Sequence, residues 1–127
     1  MAGSTEGFTI PGLTAAGTLA TAQYKFVKAA STANQVIVGT SATSAVLGVL
    51  QNDPADGEEA SVQAAGVARV LSEASVTYGS FVTCSTTGRA KTTTTVDNRV
   101  VGIALEAGNA GDIIKALVGF HFLYATT

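Results

Sequence analysis

From Gly17 onward the apolar residues fall in short runs rich in β-branched and aromatic side chains, separated by clusters of Gly, Asn, Asp, Ser and Thr about every ten residues. Short, evenly spaced runs bounded by turn residues are the pattern of a β-sandwich or β-barrel. They predict strands over 23–27, 35–39, 45–51, 59–64, 66–71, 81–85, 89–91, 99–106 and 112–124. Helix competes only at 14–30 and 64–75, where Ala is frequent. In the second of these, Gly66 and the dense valines favour a strand, since β-branched side chains fit a pleated surface better than a helix. The expectation is a mainly β, small single domain, barrel-like or a sandwich, with at most one short helix.

Residues 1–16 break this pattern. They are rich in Gly, Ser, Thr and Ala, with Phe8, Ile10, Pro11 and Leu13 as the sizeable apolar groups. Pro11 lacks an amide donor and biases Ile10 away from helix, so the stretch reads as an extended N-terminal arm (1–16) preceding a single β domain (17–127). Within the domain, Val46-Leu47-Gly48-Val49-Leu50 followed by Gly57-Glu58 is echoed by Val100-Val101-Gly102-Ile103-Ala104 followed by Gly111-Asp112, at an offset of about 54 residues. A strand-interior glycine at the same point twice points to a bulge or bend, and the echo to two related hairpins; the alternative is coincidence in a Gly- and Val-rich chain. Along 112–124, Ile114, Ala116, Val118, Phe120, Phe122 and Tyr124 share one face, and Ile113, Lys115, Leu117, Gly119, His121 and Leu123 the other. The second face is too apolar for simple solvation, so the run is either a central strand or one covered by another subunit; the subunit contact is favoured, with Leu117, His121 and Leu123 expected at that interface.

Composition strengthens that expectation. The apolar set is 46% of the chain without its 14 glycines, and charged residues are only 13%, about half the usual share. A chain so poor in charge is expected to cover part of its surface with another molecule. The seven Lys and Arg are scattered and the net charge is −2, which excludes the clustered positive charge that nucleic-acid binding requires. The N-terminus lacks the basic and apolar segments of a signal peptide. The longest apolar stretch, 113–125, carries Lys115 and His121 and is shorter than the roughly 20 residues of a membrane helix. A soluble protein made in the cytoplasm, without membrane contact, is expected.

The search for chemistry is short. One Cys and one His exist, Cys84 and His121; each lies in an apolar strand, so a buried, inert thiol is expected rather than a catalytic dyad. The acidic segment Asp53, Asp56, Glu58, Glu59 lacks the ligand alternation of a calcium loop, and Asn52-Asp53-Pro54-Ala55-Asp56-Gly57 reads as turn chemistry. Glu73, Asp97 and Glu106 have no context that recommends them as paired carboxylates. No phosphate-cradling glycine loop occurs. No enzyme activity, metal or cofactor is expected.

Several segments, taken in order, resemble the bacteriophage capsid-cement family of head-decoration proteins. They are Val46-Leu47-Gly48-Val49-Leu50-Gln51-Asn52-Asp53-Pro54, then Gly57-Glu58-Glu59-Ala60-Ser61-Val62-Gln63, Gly66-Val67-Ala68-Arg69-Val70, Thr87-Gly88-Arg89-Ala90, and Val101-Gly102-Ile103-Ala104-Leu105-Glu106-Ala107. The likeness covers roughly 14–118 and rests on order and spacing rather than on any one segment. It implies a compact domain similar to the β-tulip of lambda-like decoration proteins, a homotrimer on the outer surface of the expanded head, and the major capsid protein as partner. No catalytic residues come with the family.

On that reading the arm supplies the capsid contact. Thr5, Phe8, Thr9, Ile10, Pro11 and Leu13 are the candidate contact residues, adding backbone hydrogen bonds at a strand edge while Phe8 and Ile10 fill shallow pockets. Two other readings stand beside it: a different phage structural module of the tail or baseplate, or a bacterial surface β protein; and a small-ligand or carbohydrate-binding β domain. The absence of Trp and the 6% aromatic content count against the last.

Overall fold

The computed structural model describes residues 7–123, with side chains described as far as Gly119. Ten strands follow one another: β1 (Gly7–Ile10), β2 (Thr14–Ala15), β3 (Phe26–Ala29), β4 (Gln35–Val38), β5 (Val46–Leu50), β6 (Val62–Leu71), β7 (Phe81–Cys84), β8 (Ala90–Thr92), β9 (Arg99–Ala104) and β10 (Ile113–Leu123). They form one sheet in the order β2-β4-β3-β5-β6-β10-β9-β7-β8, with β1 added beside β6. The path does not close on itself. The expected mainly β single domain is present, as one open sheet, and no helix occurs among the described residues. The two runs expected at 59–64 and 66–71 are a single strand, β6, which passes through Gly66 at a φ of 97°.

The sequence echo becomes a repeated topology. In the first half the order is β4-β3-β5-β6, and in the second β8-β7-β9-β10. β2 lies parallel to β4 through Ala15 opposite Val36, and Ser72 makes the same parallel bridge to Ala90. Ala15 N–H donates to Glu58 O and Leu19 N–H to Pro54 O, just as Ser72 N–H donates to Asp112 O and Val76 N–H to Gly108 O. Even the turns repeat: Ala55 N–H donates to the Glu58 carboxylate, and Asn109 N–H to that of Asp112, each at 2.8–2.9 Å.

Each half carries its own core at matching positions. Leu13, Leu19, Val27, Val36, Leu50 and Val62 are buried together in the first half. Their counterparts Val70, Val76, Val82, Ala90, Ala104 and Ala116 are buried in the second. That second cluster also contains Phe26, Val46 and Val49 from the first half. The two halves are therefore welded through one core and are not separate domains.

Gly48 and Gly102 have a packing role rather than a conformational one. A Cβ at Gly48 meets the carbonyl oxygen of Gln63, and one at Gly102 that of Leu117 at 2.9 Å, so each glycine lets its strand lie close against the next. Beside Gly48 the β3–β5 register shifts between Val27 and Lys28, the irregularity expected there.

Gly48→Ala and Gly102→Ala should each lower stability by about 1–3 kcal/mol through overpacking against main chain that has no rotamer to change. Urea midpoints with an unchanged slope check this.

Candidate functional site

Among the described residues no group of three or more His, Cys, Asp or Glu side chains is placed to hold a metal ion. The acidic turn after β5 is built as turn chemistry predicts. The Asn52 amide donates to Glu59 O at 3.0 Å, its Oδ1 accepts Ser61 N–H at 3.0 Å, and Gly57 takes a φ of 80°. Glu73 is held below the usual carboxylate range, first by hydrogen bonds from the Thr87 and Ser85 hydroxyls at 2.6 and 3.0 Å. Cys84 is buried in the second core, and desolvation pushes its thiol up to about 11.

What remains is surface geometry. Of the expected arm, Thr5 lies outside the described residues. Phe8, Thr9 and Ile10 form β1, antiparallel to β6 with Phe8 opposite Ala65 and Ile10 opposite Val62. Among the described residues β1 pairs with β6 alone. Phe8 is 59% exposed, Thr9 and Pro11 are exposed, and Ile10 is half-buried against the first core.

Leu13 departs from its expected place. It is buried in the first core, and Ala60 N–H donates to its carbonyl at 2.9 Å. Ala15 is likewise fully buried, and within the expected arm β1 pairs with β6 and β2 with β4. The reason is the duplicated plan: 13–19 closes the first core as 70–76 closes the second, a role invisible in a Gly- and Ala-rich run.

On the outward side of β10, the described positions Ile113 and Leu117 are exposed and Lys115 is half-buried. Leu117 is 37% exposed and sits in an in-register row that runs from Phe81 on β7 through Ile103 on β9 to Leu117 and then Val67 on β6. One register step away, Arg69 faces Lys115, and beyond them Leu71 faces Ile113, which is 49% exposed. Arg69, Glu106, Ile113, Ile114 and Lys115 line a shallow dent of about 220 Å³. His121 and Leu123 lie on β10, Leu123 opposite Arg99, but their side chains lie outside those described.

The described residues thus form a small, open, all-β domain with an apolar outward row and a strand, β1, that pairs on one side. Residues 9–119 match the family described as phage cement protein. The chain belongs to that family. A solved structure, the head fiber gp8.5 N base of bacteriophage phi29, superposes with a TM-score of 0.66 at 16% identity, covering 91% of this chain and 94% of that one. The likeness shows that the two share a fold. Among curated proteins none matches.

The Cys84 thiol should resist aqueous thiol reagents until the chain unfolds. Its folded value of about 11 stands above the ordinary 9.0. The folded protein therefore keeps the proton while the unfolded chain loses it, and stability is complete below about pH 9 and falls towards pH 11. Melting curves of wild type and Cys84→Ala across this window should converge as the pH rises.

Proposed function

We propose that this protein is a capsid cement: it binds the outer surface of the assembled, expanded head, contacts the major capsid protein and stabilises the shell as a homotrimer. The family match over 9–119 carries the reading. On this proposal the virion surface is the working location, synthesis takes place in the host cytoplasm, and no enzyme activity or cofactor is called for. The composition is consistent with the same role, because a domain with 13% charged residues gains by covering its surface.

The shell contact is assigned to the β1 edge. Its backbone groups on the side away from β6, unpaired among the described residues, offer hydrogen bonds to an exposed strand, and Phe8 offers an anchor that costs nothing to the fold, being exposed already. Leu13 has no part in it, because its side chain is occupied in the core. Three copies in one trimer present three such edges, multiplying a modest single affinity.

Wild-type protein and Phe8→Asp should be mixed with undecorated, expanded shells of the source virus and sedimented. The account expects saturable binding of the wild type, and occupancy lower by roughly tenfold or more for the variant at equal concentration, with unchanged melting temperature and oligomer mass. Equal occupancy for Phe8→Asp removes the arm from the contact. Failure of the wild type to bind competent shells removes the cement role and favours a tail or baseplate module.

A further inference from the structure

We propose that the outward row of Phe81, Ile103 and Leu117 is the docking face for a second copy of this chain, engaged head to tail through the first half of that copy. The inference rests on the homo-oligomer proposed above and assigns its contact surface.

The repeated topology makes the argument. In the second half the row runs Phe81, Ile103, Leu117 across β7, β9 and β10. In the first half the same register positions are Phe26, Val49 and Gln63 across β3, β5 and β6. That first row is sealed: Phe26 and Val49 are fully buried and Gln63 is 6% exposed. What seals it is the second half of the same chain. Phe26 and Val49 share one buried cluster with Val82, Cys84, Val101 and Val118, and Phe26 N–H donates to Gly88 O at 2.7 Å.

The equivalent row in the second half is where a further half of the same design fits, and it stands open. Phe81 and Leu117 are each 37% exposed and Ile103 is half-buried. Its chemistry is the reverse of what solvent demands. The buried row ends on Gln63, whose amide is satisfied by Ala65 O and Val67 O, while the open row ends on Leu117. An exposed apolar row that copies an internal contact surface is a surface kept for association.

The complementary face lies on the first half. Within the chain, Phe26 and Val49 pack in the cluster that holds Val101 and Val118, which are 2% and 5% exposed. The corresponding positions in the first half are Leu47 and Ala64, both only half-buried. Leu47, together with Ile10 and Val38, lies at the margin of the first core. These groups are placed to receive the open row of a neighbouring copy as the second half receives Phe26. Since the two surfaces differ, the contact is heterologous, and repetition of it builds a closed ring if the rotation closes.

The mass of the full chain should be measured by light scattering for wild type, Leu117→Glu, the milder Leu117→Ser and Leu47→Glu, with circular dichroism as the fold check. Val96→Glu, at an apolar position 47% exposed outside the row, is the control. The expectation is an oligomer for wild type and Val96→Glu, and self-association weakened by roughly a hundredfold for Leu117→Glu and Leu47→Glu, with a smaller loss for Leu117→Ser. A one-to-one mixture of Leu117→Glu and Leu47→Glu should give dimers and nothing larger, since one intact head meets one intact tail. An oligomeric Leu117→Glu overturns this face and leaves the homo-oligomer standing through another surface. A wild type that is monomeric at every concentration overturns both.

Discussion

The antiparallel ladder between β6 and β10, from Ile113 opposite Leu71 to Val118 opposite Gly66, is the joint on which the other contacts rest. β6 serves two structures at once. Its first residues, Val62 and Gln63, finish the first half by pairing with β5, and its residues after Gly66 begin the second by pairing with β10. Through this shared strand the second half is held against the outward row of the first, and Phe26 and Val49 leave solvent. Burying two side chains of that size is worth several kcal/mol, a large fraction of the stability of a domain this small. On the outer side of that ladder Arg69 lies opposite Lys115, and Glu106 lines the same dent beside them.

Much of this was legible in the hydrophobic pattern. Apart from β8, whose residues are Ala, Lys and Thr, the strands from β3 to β10 fall where runs of Val, Ile and Phe alternate with turn residues, the pattern a half-buried strand requires. The Gly48 and Gly102 echo was legible for a related reason, since both glycines admit the main chain of the neighbouring strand and no other residue fits. Leu117 could be read as an outward apolar position because strand alternation fixes which side each residue of β10 takes.

Other features depend on tertiary context and leave little trace in local sequence. β1 and β2 are short, and their Thr and Gly residues have no strand pattern of their own; β6 and β4 supply the pairing. Leu13 in the arm and Leu19 just after it look like isolated apolar residues among small and polar ones, and only the spatial match with Val70 and Val76 explains their burial. Gly66 reads as a break between two strands, whereas a φ of 97° allows the chain to change partners without leaving the sheet.

The functional account follows from what the fold leaves uncovered. Among the described residues, a sheet with few charges has a strand edge on β1 that carries Phe8 and an exposed apolar row centred on Ile103. An edge suits main-chain recognition of another β surface, and a broad apolar row suits a copy of the same domain. The most direct test of the cement role is a cryo-electron map of expanded shells of the source virus saturated with the protein. The account predicts threefold-related density on the outer surface where major capsid subunits meet, with β1 against the shell. Density confined to the tail, or a bare shell at saturating protein, contradicts it.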